Sequence, residues 1–293
     1  MDETFKPTYE MAQGPPAVPF DVYASTVREA WQSLLSTDPA EVAVQRFLED
    51  HPALLPSSQG PEGSTSEWPF SNLLVTQPIL PGLNARQPDF LWFTTNSGKW
   101  FLVLVEIEKP GRKVFRSDGV PTADFTRARN QLNQWREWFH QPANQLKFQQ
   151  DYGVPDLWTY RRVMALRLVL IYGRRSEFTN NPALSRQRAT LLAGNDEELV
   201  SFDRLTLDDS YRSDAVTARA VGNGRYKVLK VPPTFTLGPL HAGRLLYLDN
   251  LDAAIDSSQG WTSERRDFVK QRIPYWAQWA TLDYKGWIIP DCE

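Results

Sequence analysis

The sequence predicts an α/β fold, a mixed central sheet flanked by helices, on three observations. Two runs, Trp100–Val105 and Leu168–Tyr172, are strongly apolar but only as long as a strand. Apolar residues recur at helix spacing ahead of the first run, and a long amphipathic segment lies between the two. The resulting order is helix, three strands, helix, strand. The 293 residues are 41% hydrophobic and 23% charged, a globular composition that excludes a mainly disordered or fibrous chain.

Residues 1–20 carry Pro7, Pro15, Pro16 and Pro19 without a period and read as an extended arm. From Asp21, Val22, Val27, Trp31, Leu34 and Leu35 mark a first helix. Thr37-Asp38-Pro39 offers an N-cap and a first-turn proline to a second helix, with Val42, Val44, Phe47 and Leu48 apolar. His51-Pro52 ends it near Asp50. Residues 56–69 are a Pro, Ser and Gly loop. Strands follow at Asn72–Leu80, Pro88–Thr95 and Trp100–Lys109, the last two joined by the tight-turn sequence Asn96-Ser97-Gly98-Lys99. A basic loop, 110–122, leads into an amphipathic helix over about Ala123–His140. Val163–Gly173 is a strand apolar enough to be central; Ala183–Ala193 reads as a helix and Glu198–Phe202 as a short strand. Past about 210 the pattern changes: Asn223-Gly224 marks a hairpin, and 261–287 is rich in aromatics. The expected division is an arm (1–20), an α/β domain (21–209) and a small α+β extension of unassigned role (210–293).

No apolar run reaches the ~18–20 residues of a membrane helix, and MDETFKPTYE shows no signal-peptide pattern. The lone Cys292 excludes a disulfide framework, and the scattered His51, His140 and His241 do not suggest a zinc site. A cytoplasmic protein with no membrane partner is expected. The net charge of −3 excludes a uniformly basic nucleic-acid binder but leaves room for a local basic face. Lys109, Arg112, Lys113, Arg116, Arg127, Arg129 and Arg136 fall in a stretch whose only acids are Asp118 and Asp124. Arginines 161, 162, 167, 174 and 175 fall in a stretch with no carboxylate.

Residues 101–110 read Phe-Leu-Val-Leu-Val-Glu-Ile-Glu-Lys-Pro. Strand alternation puts Leu102, Leu104, Glu106 and Glu108 on one face and Val103, Val105, Ile107 and Lys109 on the other. If Asn96 pairs with Lys99, paired positions sum to 195 and Asp89 lies opposite Glu106. Opposed Cβ atoms are ~4.5–5.5 Å apart, so Asp89, Glu106 and Glu108 converge. Like charges in that arrangement repel, and a divalent cation resolves the conflict. Oxygen donors without His or Cys suit Mg²⁺ or Mn²⁺. The alternative at this point is a solvated strand end with its carboxylates spread into water.

Pro88-Asp89, a hairpin, then Glu106-x-Glu108 looks like the PD-(D/E)xK nuclease core and, more narrowly, is similar to the Shedu antiphage nuclease domain; four pieces, in order, support that. Glu41-x-x-x-Gln45-x-x-Leu48, closed by His51-Pro52, resembles the helix before that family's sheet. Arg86-Gln87-Pro88-Asp89-Phe90-Leu91 resembles its first metal-ligand strand, and Val105-Glu106-Ile107-Glu108-Lys109-Pro110 its catalytic strand. Ala128-Arg129-Asn130-Gln131-Leu132-x-x-Trp135 resembles its glutamine-bearing helix. The strand ending Ile171-Tyr172-Gly173-Arg174 fits its later core strand, and the resemblance covers about 38–207. It implies a nuclease-like fold, Mg²⁺-dependent hydrolysis of DNA in antiphage defence, and a homo-oligomer. Asp89, Glu106, Glu108 and Glu41 would serve the metal, with Lys109 and Gln131 as further catalytic candidates. Arg112, Lys113, Arg116, Arg127, Arg129, Arg174 and Arg175 would hold the DNA backbone through charge-assisted hydrogen bonds to phosphate.

One departure from the family pattern stands out: Glu108 occupies the usual lysine position. Lys109 is one residue late and faces away unless a bulge turns it inward. A second metal or a metal-bound water could replace the lysine. The alternative functions are a catalytically silent nucleic-acid-binding module on the same fold, or an interaction scaffold whose carboxylates and arginines form a salt-bridge rim.

Overall fold

The computed structural model describes residues 9–56, 70, 72–82, 87–191, 194–207, 214–238, 242–280 and 293, with backbone alone at 157 and 158. The helices are α1 (Phe20–Ser36), α2 (Glu41–Asp50), α3 (Ala123–His140), α4 (Pro142–Tyr152), α5 (Asp156–Arg161), α6 (Pro182–Ala189), α7 (Leu251–Ser257) and α8 (Ser263–Trp279). The strands are β1 (Leu73–Thr76), β2 (Phe90–Thr95), β3 (Lys99–Ile107), β4 (Val163–Ile171), β5 (Glu197–Val200), β6 (Val216–Gly222), β7 (Arg225–Lys230) and β8 (Leu248–Asp249). These strands form one mixed sheet, ordered β5-β4-β3-β2-β1-β6-β7-β8.

The turn at 96–99 sets the register of the central hairpin. Asn96 N–H donates to Lys99 O (2.9 Å), and the Asn96 side chain accepts from the backbone N–H of Gly98 (3.0 Å) and Lys99 (2.8 Å). Phe90 then pairs with Val105 and Thr95 with Trp100, the register the turn sequence predicts. On one face, Leu102 and Leu104 join Leu91, Phe93 and the α3 residues Ala128, Leu132 and Trp135 in one core. On the other, Val103, Val105 and Ile107 meet Val27, Trp31 and Leu35 of α1 and Val44 and Leu48 of α2.

β3 and β4 run parallel, from Lys99↔Val163 to Ile107↔Ile171. Their C-terminal ends, and the loops that begin at Lys109 and Arg174, therefore share one edge of the sheet. The sheet continues past residue 210: β6 adds parallel to β1, and β7 forms the Asn223-Gly224 hairpin with it. Residues 9–19 contain no helix or strand. They are held by Val18 N–H donating to Pro233 O (3.0 Å) and by Tyr9 against Trp276 and Trp279 of α8.

Several boundaries differ from the sequence reading. Thr37 closes α1, its N–H on Leu34 O, instead of capping the next helix; Asp38 takes a left-handed φ of 48°, and α2 starts at Glu41 after Ala40. Val42 is exposed on the outer face of α2. β1 stops at Thr76, because Gln77 takes a φ of 47° and Pro78 has no N–H to continue a ladder. α6 begins under an Asn181 cap and ends at Ala189. α4 and α5 fill residues 142–161, where no element was expected. The loop at 57–69, Arg86, Leu192, Ala193, His241, the last seven residues (281–287) of the C-terminal aromatic segment and Cys292 lie outside the described residues.

Candidate metal centre and nucleic-acid face

Asp89 sits at the entry to β2, fixed by three backbone contacts. Its N–H donates to Val105 O (3.0 Å), its O accepts from Gln77 N–H (2.8 Å), and its Oδ2 accepts from Ile107 N–H (2.8 Å). The last bond aims the carboxylate across the hairpin toward Glu106, as the register requires. Glu106 and Glu108 are buried, at 4% and 1% exposure. Such burial is costly for charge unless a partner compensates it.

The electrostatics show the shortage of positive charge. Burial first, then Glu41 and Glu108, push the Asp89 carboxyl up to about 7, against the pull of the Ile107 N–H bond and a hydrogen bond shared with Glu106. Burial, then Asp89, Glu108 and Glu41, hold Glu106 well above the ordinary carboxylate range. Glu41, on α2, therefore reaches the site electrostatically. Glu106 Oε2 is buried with no hydrogen-bond partner among the described residues, as is the amide nitrogen of the buried Gln131 on α3. An orphaned carboxylate oxygen within a set of all-oxygen donors fits a hard divalent cation. Among the described residues, no three His, Cys, Asp or Glu side chains are already arranged around an ion position.

Glu108 is engaged by an arginine: its carboxylate pairs with the Arg112 guanidinium, which also lies 3.9 Å from Asp124. Lys109 turns the other way and pairs with Asp38 at 2.7 Å, ahead of α2. β3 ends at Ile107, two residues short of the expected Lys109, with no bulge in its pairing, and the opposite directions of Glu108 and Lys109 continue its alternation.

The basic residues fall into two groups. Lys113, Arg116, Arg127 and Arg175 are exposed at the carboxylate edge; Arg116 pairs with Asp118 (2.7 Å) and Arg127 with Asp124 (3.1 Å), both solvent-accessible and weak. The others are less free. Arg174 donates to Asp203 (3.0 and 2.8 Å) and to Leu35 O (2.8 Å), tying the end of β4 to α1. Arg129 is half-buried on α3.

Sequence reasoning did not single out two neighbours of the site. Tyr172, just past β4, lies near Glu108, Arg112 and Asp124, and its hydroxyl is raised chiefly by burial. Thr76, at the end of β1, donates to Glu49 Oε1 (2.5 Å) and accepts from Gln45 Nε2 (3.2 Å), locking α2 to the sheet beside Asp89. The i, i+4 spacing of Gln45 and Glu49 could have shown that both share a helix face, but the partner on β1 is visible only in the fold.

No helix among the described residues is long and apolar enough to cross a membrane. No curated protein matches the sequence. A family model described as Shedu protein SduA, C-terminal, matches residues 38–206, the span that runs from α2 through β5 and holds every carboxylate of the site. The chain belongs to the Shedu family.

Proposed function

We propose that the protein is a metal-dependent nuclease of the PD-(D/E)xK kind that hydrolyses DNA phosphodiester bonds in antiphage defence. The observation that carries this reading is the Asp89–Glu106 pair: two carboxylates forced together by the hairpin register, both raised, with a Glu106 oxygen left unsatisfied. Membership of the Shedu family supports it.

Asp89 and Glu106 would hold Mg²⁺ or Mn²⁺, with Glu41 adding negative charge behind them and Glu108 as a further ligand. When bound, the cation polarises a phosphoryl oxygen and lowers the pKa of water. The protein's own groups do the rest. The Ile107 N–H orients Asp89, Gln131 offers an amide to phosphate or water, and Lys113, Arg116, Arg127 and Arg175 attract the backbone.

A catalytically silent DNA-binding module is the second reading, favoured by the two ion pairs that take up Glu108 and Lys109 and turn the lysine away from the site. Incubating the full chain with linear and supercoiled DNA, with Mg²⁺ and then with EDTA, separates them. Cleavage that needs the metal and fails in Asp89→Asn supports the nuclease. Binding without cleavage in any divalent metal supports the silent module.

A further inference from the structure

The site carries a cation of its own, the Arg112 guanidinium on Glu108, and the details of its placement suggest that it moves. Glu108 is buried, whereas the Arg112 side chain is 32% exposed at the rim. The Arg112 backbone is fixed: its N–H donates to Lys109 O (3.0 Å), and its O lies 3.2 Å from where a Cβ on Gly173 would stand. Gly173 has a φ of 69° and no side chain, which admits that approach. Motion is therefore left to the guanidinium. Asp124 and the exposed Arg116 and Arg127 lie on the same basic segment, so an arriving phosphate backbone meets Arg112 from the solvent side.

We propose that Arg112 is a phosphate-operated latch: its guanidinium holds Glu108 while no nucleic acid is bound, and it transfers to a backbone phosphate when DNA arrives, releasing Glu108 to a divalent cation. This rests on the reading of Asp89 and Glu106 as a metal site. The exchange swaps one anionic partner for another, and a guanidinium fork meets phosphate as well as carboxylate. Once Arg112 leaves, Asp89, Glu106 and Glu108 lose its positive charge, so demand for a metal rises at the moment substrate is present. With the latch closed, Glu108 is occupied, which agrees with the lack of a ready three-ligand arrangement among the described residues. By linkage, DNA must raise metal affinity and metal must raise DNA affinity by the same factor.

The test is Mn²⁺ binding to the full chain, read from the EPR signal of free Mn²⁺, with and without a non-cleavable phosphorothioate duplex. Asp89→Asn with the same duplex gives the baseline for Mn²⁺ held by the DNA itself. Wild type is expected to bind Mn²⁺ about tenfold more tightly with the duplex. Arg112→Gln is expected to bind that tightly without it and to gain nothing from it. Equal wild-type affinity with and without duplex, together with loss of binding in Asp89→Asn, overturns the latch and leaves the metal site standing. Unchanged Mn²⁺ binding in Asp89→Asn overturns the metal site and the latch with it. The wild-type comparison needs only the Asp89→Asn baseline, so a poorly folded Arg112→Gln does not rescue the proposal.

Discussion

Glu108 and Lys109 are adjacent in sequence and opposite in role. Alternation sends Glu108 into the buried face with Glu106, and Lys109 to Asp38 on the α2 side. Replacing Glu108 by Ala should therefore weaken both metal binding and cleavage, while Lys109→Ala should change turnover by less than about threefold, within the small worth of an exposed ion pair. Cleavage rates and metal titrations at equal folded concentration check this; an inactive Lys109→Ala beside a normal Glu108→Ala would reverse the two roles. His51 offers a test on stability. Burial first lowers its ring to about 4, against the pull of Asp50, and Tyr23 OH lies 3.0 Å from its Nδ1. The unfolded ring titrates near 6.5, so the native state binds fewer protons between about pH 6.5 and 4. Stability from the neutral ring is full above 6.5 and is lost as pH falls through that window. Urea unfolding at pH 7 and pH 5 should show wild type losing stability on acidification and His51→Phe losing less. Equal losses would show that His51 is not the group being titrated.

Among the elements, the 96–99 turn was readable because its hydrogen bonds are local: Asn96 caps its own turn, and the register of the whole β2–β3 hairpin follows from it. The Thr37 cap was not readable, because three polar or proline positions in a row allow either a helix end or a helix start. Which one wins depends on Asp38 turning to meet Lys109, a residue 71 positions away. The Arg112–Glu108 pair escaped for a related reason: it spans a loop, where spacing says nothing about direction. The basic loop can be tested as a unit. Changing Arg112, Lys113 and Arg116 together to Ala should weaken duplex binding and flatten its log–log salt dependence by about 0.9 for each phosphate no longer neutralised. Filter binding across a salt series measures the slope, and an unchanged slope would turn this loop away from DNA.

At the scale of the molecule, the parallel pairing of β3 with β4 does most to build the site, because it gathers the 109–122 loop, which leads into α3, and the 174–175 segment at the carboxylate edge. The joining of β6 to β1 was not legible, since a parallel pair made across about 140 residues has no connecting turn to reveal it. A buried ion pair secures that join: Arg244, fully enclosed, donates to Asp214 (3.1 Å), which also accepts from Asn72 just ahead of β1. Asp214→Ala would leave Arg244 charged and enclosed, and should cost about 3–5 kcal/mol in urea unfolding. A loss below about 1 kcal/mol would show that the pair is not what secures the join.

The most direct test of the carboxylate site is cleavage of duplex DNA by Asp89→Asn in Mg²⁺, beside wild type and with folding checked by circular dichroism. The substitution keeps the shape of the side chain and its bond from Ile107 N–H while removing one charge from the Asp89–Glu106 pair. Wild-type cleavage that requires Mg²⁺, with a loss of at least about a hundredfold in the folded variant, is the predicted result. Cleavage by Asp89→Asn at the wild-type rate, in the same metal, would contradict it.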